Sequence, residues 1–174
     1  TDTFVDALRK LATIAVPRLA DLCLVDIRED GGRIRRVAAI HADPAMTAMV
    51  AELASRYPPD PSGPHPASRA LASRSSSWSA EMPEEFLRAT TVDDHHLELV
   101  RRLRFSSYMC VPLMAANEAL GVMTLVSSGS GRRFDGSDLN LAEDLASRAA
   151  GVVALARRRE RDHELAHVLQ QIGR

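Results

Sequence analysis

The sequence predicts an α+β domain: one central antiparallel sheet with helices on both faces and a long C-terminal helix. Three observations carry this. Two hairpins are legible: residues 22–27 and 34–41 flank the turn chemistry of Glu29, Asp30, Gly31 and Gly32, and residues 106–115 and 119–127 flank Ala116, Asn117 and Glu118. Strand 106–115 is apolar on both faces, with Tyr108, Cys110 and Met114 on one and Met109, Val111 and Leu113 on the other. That pattern belongs to a strand central in a sheet covered on both sides. Finally, both ends of the chain show helical periodicity, in Val5, Leu8, Ala12 and Ala15 and again in Leu139, Ala142, Ala146, Ala149 and Val153.

The elements follow in order. A helix from Asp2 to Leu19 takes Asp2 or Thr3 as N-cap and is kinked or ended by Pro17. After the first hairpin, Pro44 suits the first turn of a helix running to about Arg56. Five prolines between Tyr57 and Pro66 forbid regular structure there. Small elements follow: a helix at 67–73, a polar strand at 76–79, and helices near 84–90 and 93–103. The last helix starts at Asp135 or Ser137 and is expected to run unbroken to Ile172. Residues 157–164 are wholly polar, and beyond them Leu165, Leu169 and Ile172 form a narrow apolar stripe that reads as a short coiled-coil stalk.

Composition narrows the function classes. The chain has 174 residues, 45% of them apolar, and 22 basic against 23 acidic side chains. This is one globular domain, since a chain of this size can bury roughly 70% of its unfolded surface. Two cysteines cannot staple it, so a disulfide scaffold is excluded. No apolar run approaches the roughly 20 residues that cross a bilayer, and no signal peptide is visible; a cytoplasmic location is expected. The balanced charge offers no nucleic-acid footprint. Arginine outnumbers lysine 21 to 1, which reads as gene base composition, not chemistry. The chain begins at Thr1 and is expected to be a piece of a longer protein.

Four segments, in this order, resemble the GAF domain family over residues 3–156: 22–26 (Leu-Cys-Leu-Val-Asp), 111–113 (Val-Pro-Leu), 119–125 (Ala-Leu-Gly-Val-Met-Thr-Leu) and 134–146 (Phe-Asp-Gly-Ser-Asp-Leu-Asn-Leu-Ala-Glu-Asp-Leu-Ala). Gly121 stands where a strand glycine allows close backbone approach, and Pro112 points to an edge or bulge. More narrowly, the chain looks like GAF domains of actinobacterial sensor proteins that precede a sporulation-type serine phosphatase or a histidine kinase. The resemblance implies a GAF-like, profilin-like fold and a division into a sensor at 1–156 and a helical linker at 157–174 leading to an output domain. It further implies a small-molecule ligand between the sheet and the elements of 57–104, and a homodimer formed through the terminal helices. By position, Trp78, Phe86, Tyr108, Cys110 and Met114 would line the ligand site, with His41 nearby.

Enzyme chemistry finds little support. His163, Glu164 and His167 spell H-E-x-x-H, but only seven residues follow, and a polar stalk cannot exclude water; no metal site is expected. Asp93, Asp94, His95, His96 and Glu98 do not converge on a helix and read as a solvated helix start. Cys23 and Cys110 read as buried inert thiols. No cysteine cluster serves a methionine sulfoxide reductase, and no loop cysteine could hold a bilin. His41 and His65 are haem-ligand candidates by type, yet read as solvated histidines; no cofactor is expected. The sequence therefore points to a regulatory domain, with a ligand-free dimerisation module and a sulfoxide reductase as alternatives.

Overall fold

The computed structural model describes residues 3–173. A five-stranded antiparallel sheet in the order β2-β1-β5-β4-β3 divides the molecule into two layers. Its strands are β1 (Leu22–Arg28), β2 (Ile34–His41), β3 (Ser77–Ser79), β4 (Phe105–Ala115) and β5 (Glu118–Ser128). The helices are α1 (Thr3–Ala15), α2 (Thr47–Arg56), α3 (Pro66–Ser73), α4 (Glu84–Thr90), α5 (Asp94–Arg102) and α6 (Gly136–Ile172).

Both hairpins form where turn chemistry placed them. The strand apolar on both faces, β4, is covered on both sides, but the middle of the sheet is β5. β4 lies next to the edge because β3 is three residues long and pairs only with Tyr108, Met109 and Cys110. Pro112 falls beyond that short neighbour, where a missing N–H leaves no pairing unmade. The first helix ends at Ala15, before the Val16–Pro17 bond. Its N-cap candidate Asp2 lies outside the described residues.

One face of the sheet packs on α1 and α6. Leu8 and Ala12 of α1 meet Cys23, Val25, Met109, Val111, Met123 and Leu125 from the strands. Helix α6 contributes Ala142, Ala146, Ala149 and Ala150, small residues at three- and four-residue spacing that let it lie close to the sheet. Asp135 caps it, accepting from the N–H groups of Ser137 and Asp138, while the Asp138 carboxylate accepts from the Asp135 N–H. The helix runs without a break for 37 residues, and every described residue after Arg157 is exposed. The other face carries α2, α4 and α5 over Leu22, Leu24 and Val126, with α3 packed near Tyr108, Cys110 and Val122.

Gly121 sits opposite Ile27 on β1 and Leu113 on β4. A Cβ built there would lie 2.2 Å from the Asp26 carbonyl oxygen and 3.1 Å from the Ile27 Cα. Both are backbone atoms, which cannot step aside without opening the β1–β5 pair. Gly151, exposed in α6, meets nothing within 4 Å. Gly121→Ala is therefore expected to cost at least ~2 kcal/mol in urea unfolding. Gly151→Ala is expected to stabilise by roughly 0.5–1 kcal/mol through helix propensity alone.

Candidate functional site

The site begins with an acid in an apolar strand. Leu22, Leu24 and Asp26 alternate onto the α2–α5 face of β1, and Asp26 is fully buried. A carboxylate in such a place must be paired and hydrogen-bonded. Continuing the β1–β2 register regularly from the Val25–Ala38 pair would set Val37 opposite Asp26 and turn Arg36 to the α1–α6 face. Instead the register shifts here, so Asp26 faces Arg36 and Val37 is the extra residue of a β-bulge. Val37 and its neighbour Ala38 are both buried in the α1–α6 core, breaking the strand's alternation. Arg9 of α1 holds the bulge from behind, its Nε donating to the Val37 carbonyl at 3.1 Å.

The bulge thus aims Arg36 at Asp26. Arg36 Nε donates to Oδ1 at 2.8 Å and Nη2 to Oδ2 at 3.2 Å. This two-point contact matches guanidinium to carboxylate and is favoured for a buried pair.

Above this pair is a cavity of about 110 Å³ between the sheet and α2–α5. Arg36 forms part of its wall, and the remainder is largely apolar, including Leu24, Leu53, Met82, Val100 and Val126. One side is a stack of rings. His96 of α5 lies on Tyr57 with centroids 4.2 Å apart and planes 12° from parallel, and His65 tilts against His96 at 5.4 Å. Asp93 organises this wall. Its carboxylate caps α5 by accepting from the His96 N–H at 2.8 Å and also accepts the Tyr57 hydroxyl at 2.7 Å.

Burial drives the His96 imidazole down to about 4, with His65 and Arg36 pushing the same way and Asp93 opposing. His65 is lowered too, again mainly by burial. Burial lifts the Cys110 thiol to about 12, and Cys23 likewise, so neither offers a thiolate.

The sequence-derived site residues separate into groups. Tyr108 and Cys110 line the cavity. Phe86 of α4 stacks on Tyr108 at 5.2 Å and supports that wall. Trp78 does not reach it: the register pairs Trp78 with Met109, whose side chain belongs to the α1–α6 face, and the indole is exposed. Met114 borders a different groove with Pro112, Arg74 and Glu143, beside a Ser76–Glu143 hydrogen bond. His41 ties the end of β2 to β5 through Ser128 Oγ at 2.9 Å, while its Nδ1 accepts from the Asp43 N–H.

Sequence reasoning missed Asp26 and Arg36, and read His65 and His96 as solvated where both line the cavity. The signal for Asp26 was a lone carboxylate inside a strand-length apolar run. For His96 it was the shared helix face with Leu99, Val100 and Leu103. Its neighbour His95 does point outward, to Glu52 at 2.7 Å. His163 and His167 lie on the exposed end of α6, and no three His, Cys, Asp or Glu side chains converge among the described residues.

The sheet order, the helices on both faces and the cavity over one of them define the class of α+β domain. The chain belongs to the GAF domain family, whose model matches residues 1–171. Solved structures agree on the fold. The GAF domain of a phosphoenolpyruvate-protein phosphotransferase from Coxiella burnetii superposes with a TM-score of 0.70 at 15% identity, over 92% of this chain and 88% of that one. A GAF domain/HD domain protein from Geobacter sulfurreducens gives 0.66 at 16% identity, over 89% and 94%. The GAF-B domain of DevS from Mycobacterium smegmatis gives 0.62 at 20%, over 91% and 98%. No curated protein matches the chain in sequence at a significant level. No helix among the described residues is long and apolar enough to cross a membrane.

Because His96 is neutral in the folded state down to about 4, the unfolded chain takes up that proton first as pH falls below its ordinary value near ~6.5. The stabilising contribution is complete above that value and is lost on the way down to about 4. Denaturant unfolding should therefore weaken with acid over this window by up to ~1.4 kcal/mol per pH unit. His96→Gln is expected to flatten the profile there.

Proposed function

We infer that this domain senses a small molecule in the cavity over the Asp26–Arg36 pair and passes occupancy to an output enzyme through α6. The observation that carries this reading is the position of one sheet between two parts: the cavity lies on one face and the long helix on the other. A ligand that shifts the sheet acts directly on α6, as a bistable element requires. A specific contact joins them. Two residues beyond Asp26, the Arg28 carbonyl accepts a hydrogen bond from Arg157 Nη2, at the point where α6 leaves the fold.

In this reading residues 1–156 are the sensor and 157–174 the linker. Leu155, Leu165, Leu169 and Ile172 are exposed on α6 at intervals of ten, four and three, a seam suited to the same helix of a second copy. The domain would act as a homodimer in the cytoplasm, ahead of a serine phosphatase of the sporulation type or a histidine kinase in an actinobacterial sensor protein. It binds neither nucleic acid nor membrane in this role. The GAF domain/HD domain and DevS likenesses support a GAF module within a larger protein.

Native mass spectrometry of the chain purified from its own host tests both parts. The expected result is a dimer carrying a non-covalent ligand mass, with Ala67→Phe, in the cavity wall, losing the ligand and Leu165→Glu/Leu169→Glu giving monomers. A ligand-free dimer would favour a dimerisation module instead, and a ligand-free monomer would overturn both parts.

A further inference from the structure

Resting on the reading of this cavity as the sensory site, we propose that its ligand is a small uncharged molecule, about one ring in size, whose carbonyl-type oxygen accepts hydrogen bonds from Arg36 Nη1 and His96 Nε2.

Size comes first. An apolar cavity of roughly 150 Å³ admits benzene, and this one measures about 110 Å³. A single five-membered ring suits that volume.

The unspent hydrogen-bonding groups then fix the polar end. Arg36 commits Nε and Nη2 to Asp26, and Nη1 has no protein partner among the described residues. His96 Nδ1 accepts from the Val92 N–H at 3.2 Å, which puts the ring proton on Nε2. Nε2 also has no partner among the described residues. Among the described residues no buried side-chain nitrogen or oxygen is sealed off without a hydrogen bond, so these two nitrogens keep accessible surface. Both belong to cavity-lining residues. Other polar groups in the wall are already engaged: the Tyr57 hydroxyl donates to Asp93, and Thr90 and Thr91 donate to carbonyls of their own helix. Two unspent N–H donors on residues that line one largely apolar cavity suit a ligand acceptor.

Charge argues for a neutral acceptor. The Asp26 carboxylate already balances Arg36, and burial keeps His65 and His96 uncharged near neutral pH. A ligand carboxylate would bring a second anion beside Asp26 in a poorly solvated site, where like charges repel strongly. A ketone, ester, lactone or amide oxygen needs no counter-charge.

The test uses two probes of matched shape, cyclopentanone and methylenecyclopentane, in which =CH₂ replaces =O, and a slightly larger anionic one, cyclopentanecarboxylate. Binding near neutral pH is followed by the NMR ring signals of Tyr57 and Tyr108. The purified chain is first unfolded and refolded to remove any resident ligand. Cyclopentanone is expected to bind at least ~tenfold tighter than methylenecyclopentane. The preference should vanish in Asp26→Leu/Arg36→Met, which removes the guanidinium without stranding a carboxylate, and shrink in His96→Phe, which keeps the stack on Tyr57. Equal binding of ketone and alkene overturns the acceptor assignment while leaving the cavity as a ligand site. Tighter binding of the carboxylate overturns the neutral assignment. Saturable binding by none of the three, in a chain whose amide spectrum shows it refolded, overturns the ligand chemistry and the sensory reading together.

Discussion

The buried ion pair between Asp26 and Arg36 is the constraint from which the rest of the site follows. A carboxylate with no solvent exposure in the second strand from the edge is tolerable only with a partner, and here β2 supplies it. The regular register would supply Val37. The bulge supplies Arg36, at the cost of an irregular ladder that Arg9 holds from the α1 side. The pair fixes how β1 and β2 align, and its guanidinium becomes the polar floor of an otherwise apolar cavity.

Burying the pair beneath a cavity also explains the ring stack. Asp93 spends its carboxylate on the α5 N-terminus and on Tyr57, so it holds α5 in place without adding a free charge to the cavity. His96 is held flat on Tyr57, with one nitrogen turned to the Val92 N–H. The site is electrically quiet, with one internally balanced pair, two neutral imidazoles and the inert Cys110 thiol. Such a site suits recognition by shape and hydrogen bonding. The sheet carries these features on one face and α6 on the other, so the walls of the cavity and the exit of the helix are joined through β1.

The elements were legible because their signals are local. Glycine-rich and Asn-Glu turns mark both hairpins, the spacing of Ala142, Ala146 and Ala149 marks the buried stripe of α6, and the residues at 22–26, 111–113, 119–125 and 134–146 carry the family. The site was less legible because it depends on register. Arg35 and Arg36 are adjacent, so alternation sends one to each face, but only the bulge decides which, and neither Gly nor Pro marks it. Trp78 sits on a three-residue strand whose pairing with Met109 turns it away from Tyr108 and Cys110. His96 was hidden in a polar run, Asp93 to His96, that looks solvated until its helix face is drawn out to Val100 and Leu103. Arg36 was lost among 21 arginines; Asp26, opposite it, was the better clue.

The most direct measurement is a double-mutant cycle on this pair, read by urea unfolding of the whole chain. With Asp26→Leu and Arg36→Met, the expectation is that each single change costs ~3–5 kcal/mol, because each strands a buried charge. The combined variant should recover most of that loss, giving a coupling well above ~1 kcal/mol. Single losses that are small, or that simply add in the double variant, would contradict the claim that this pair organises the site.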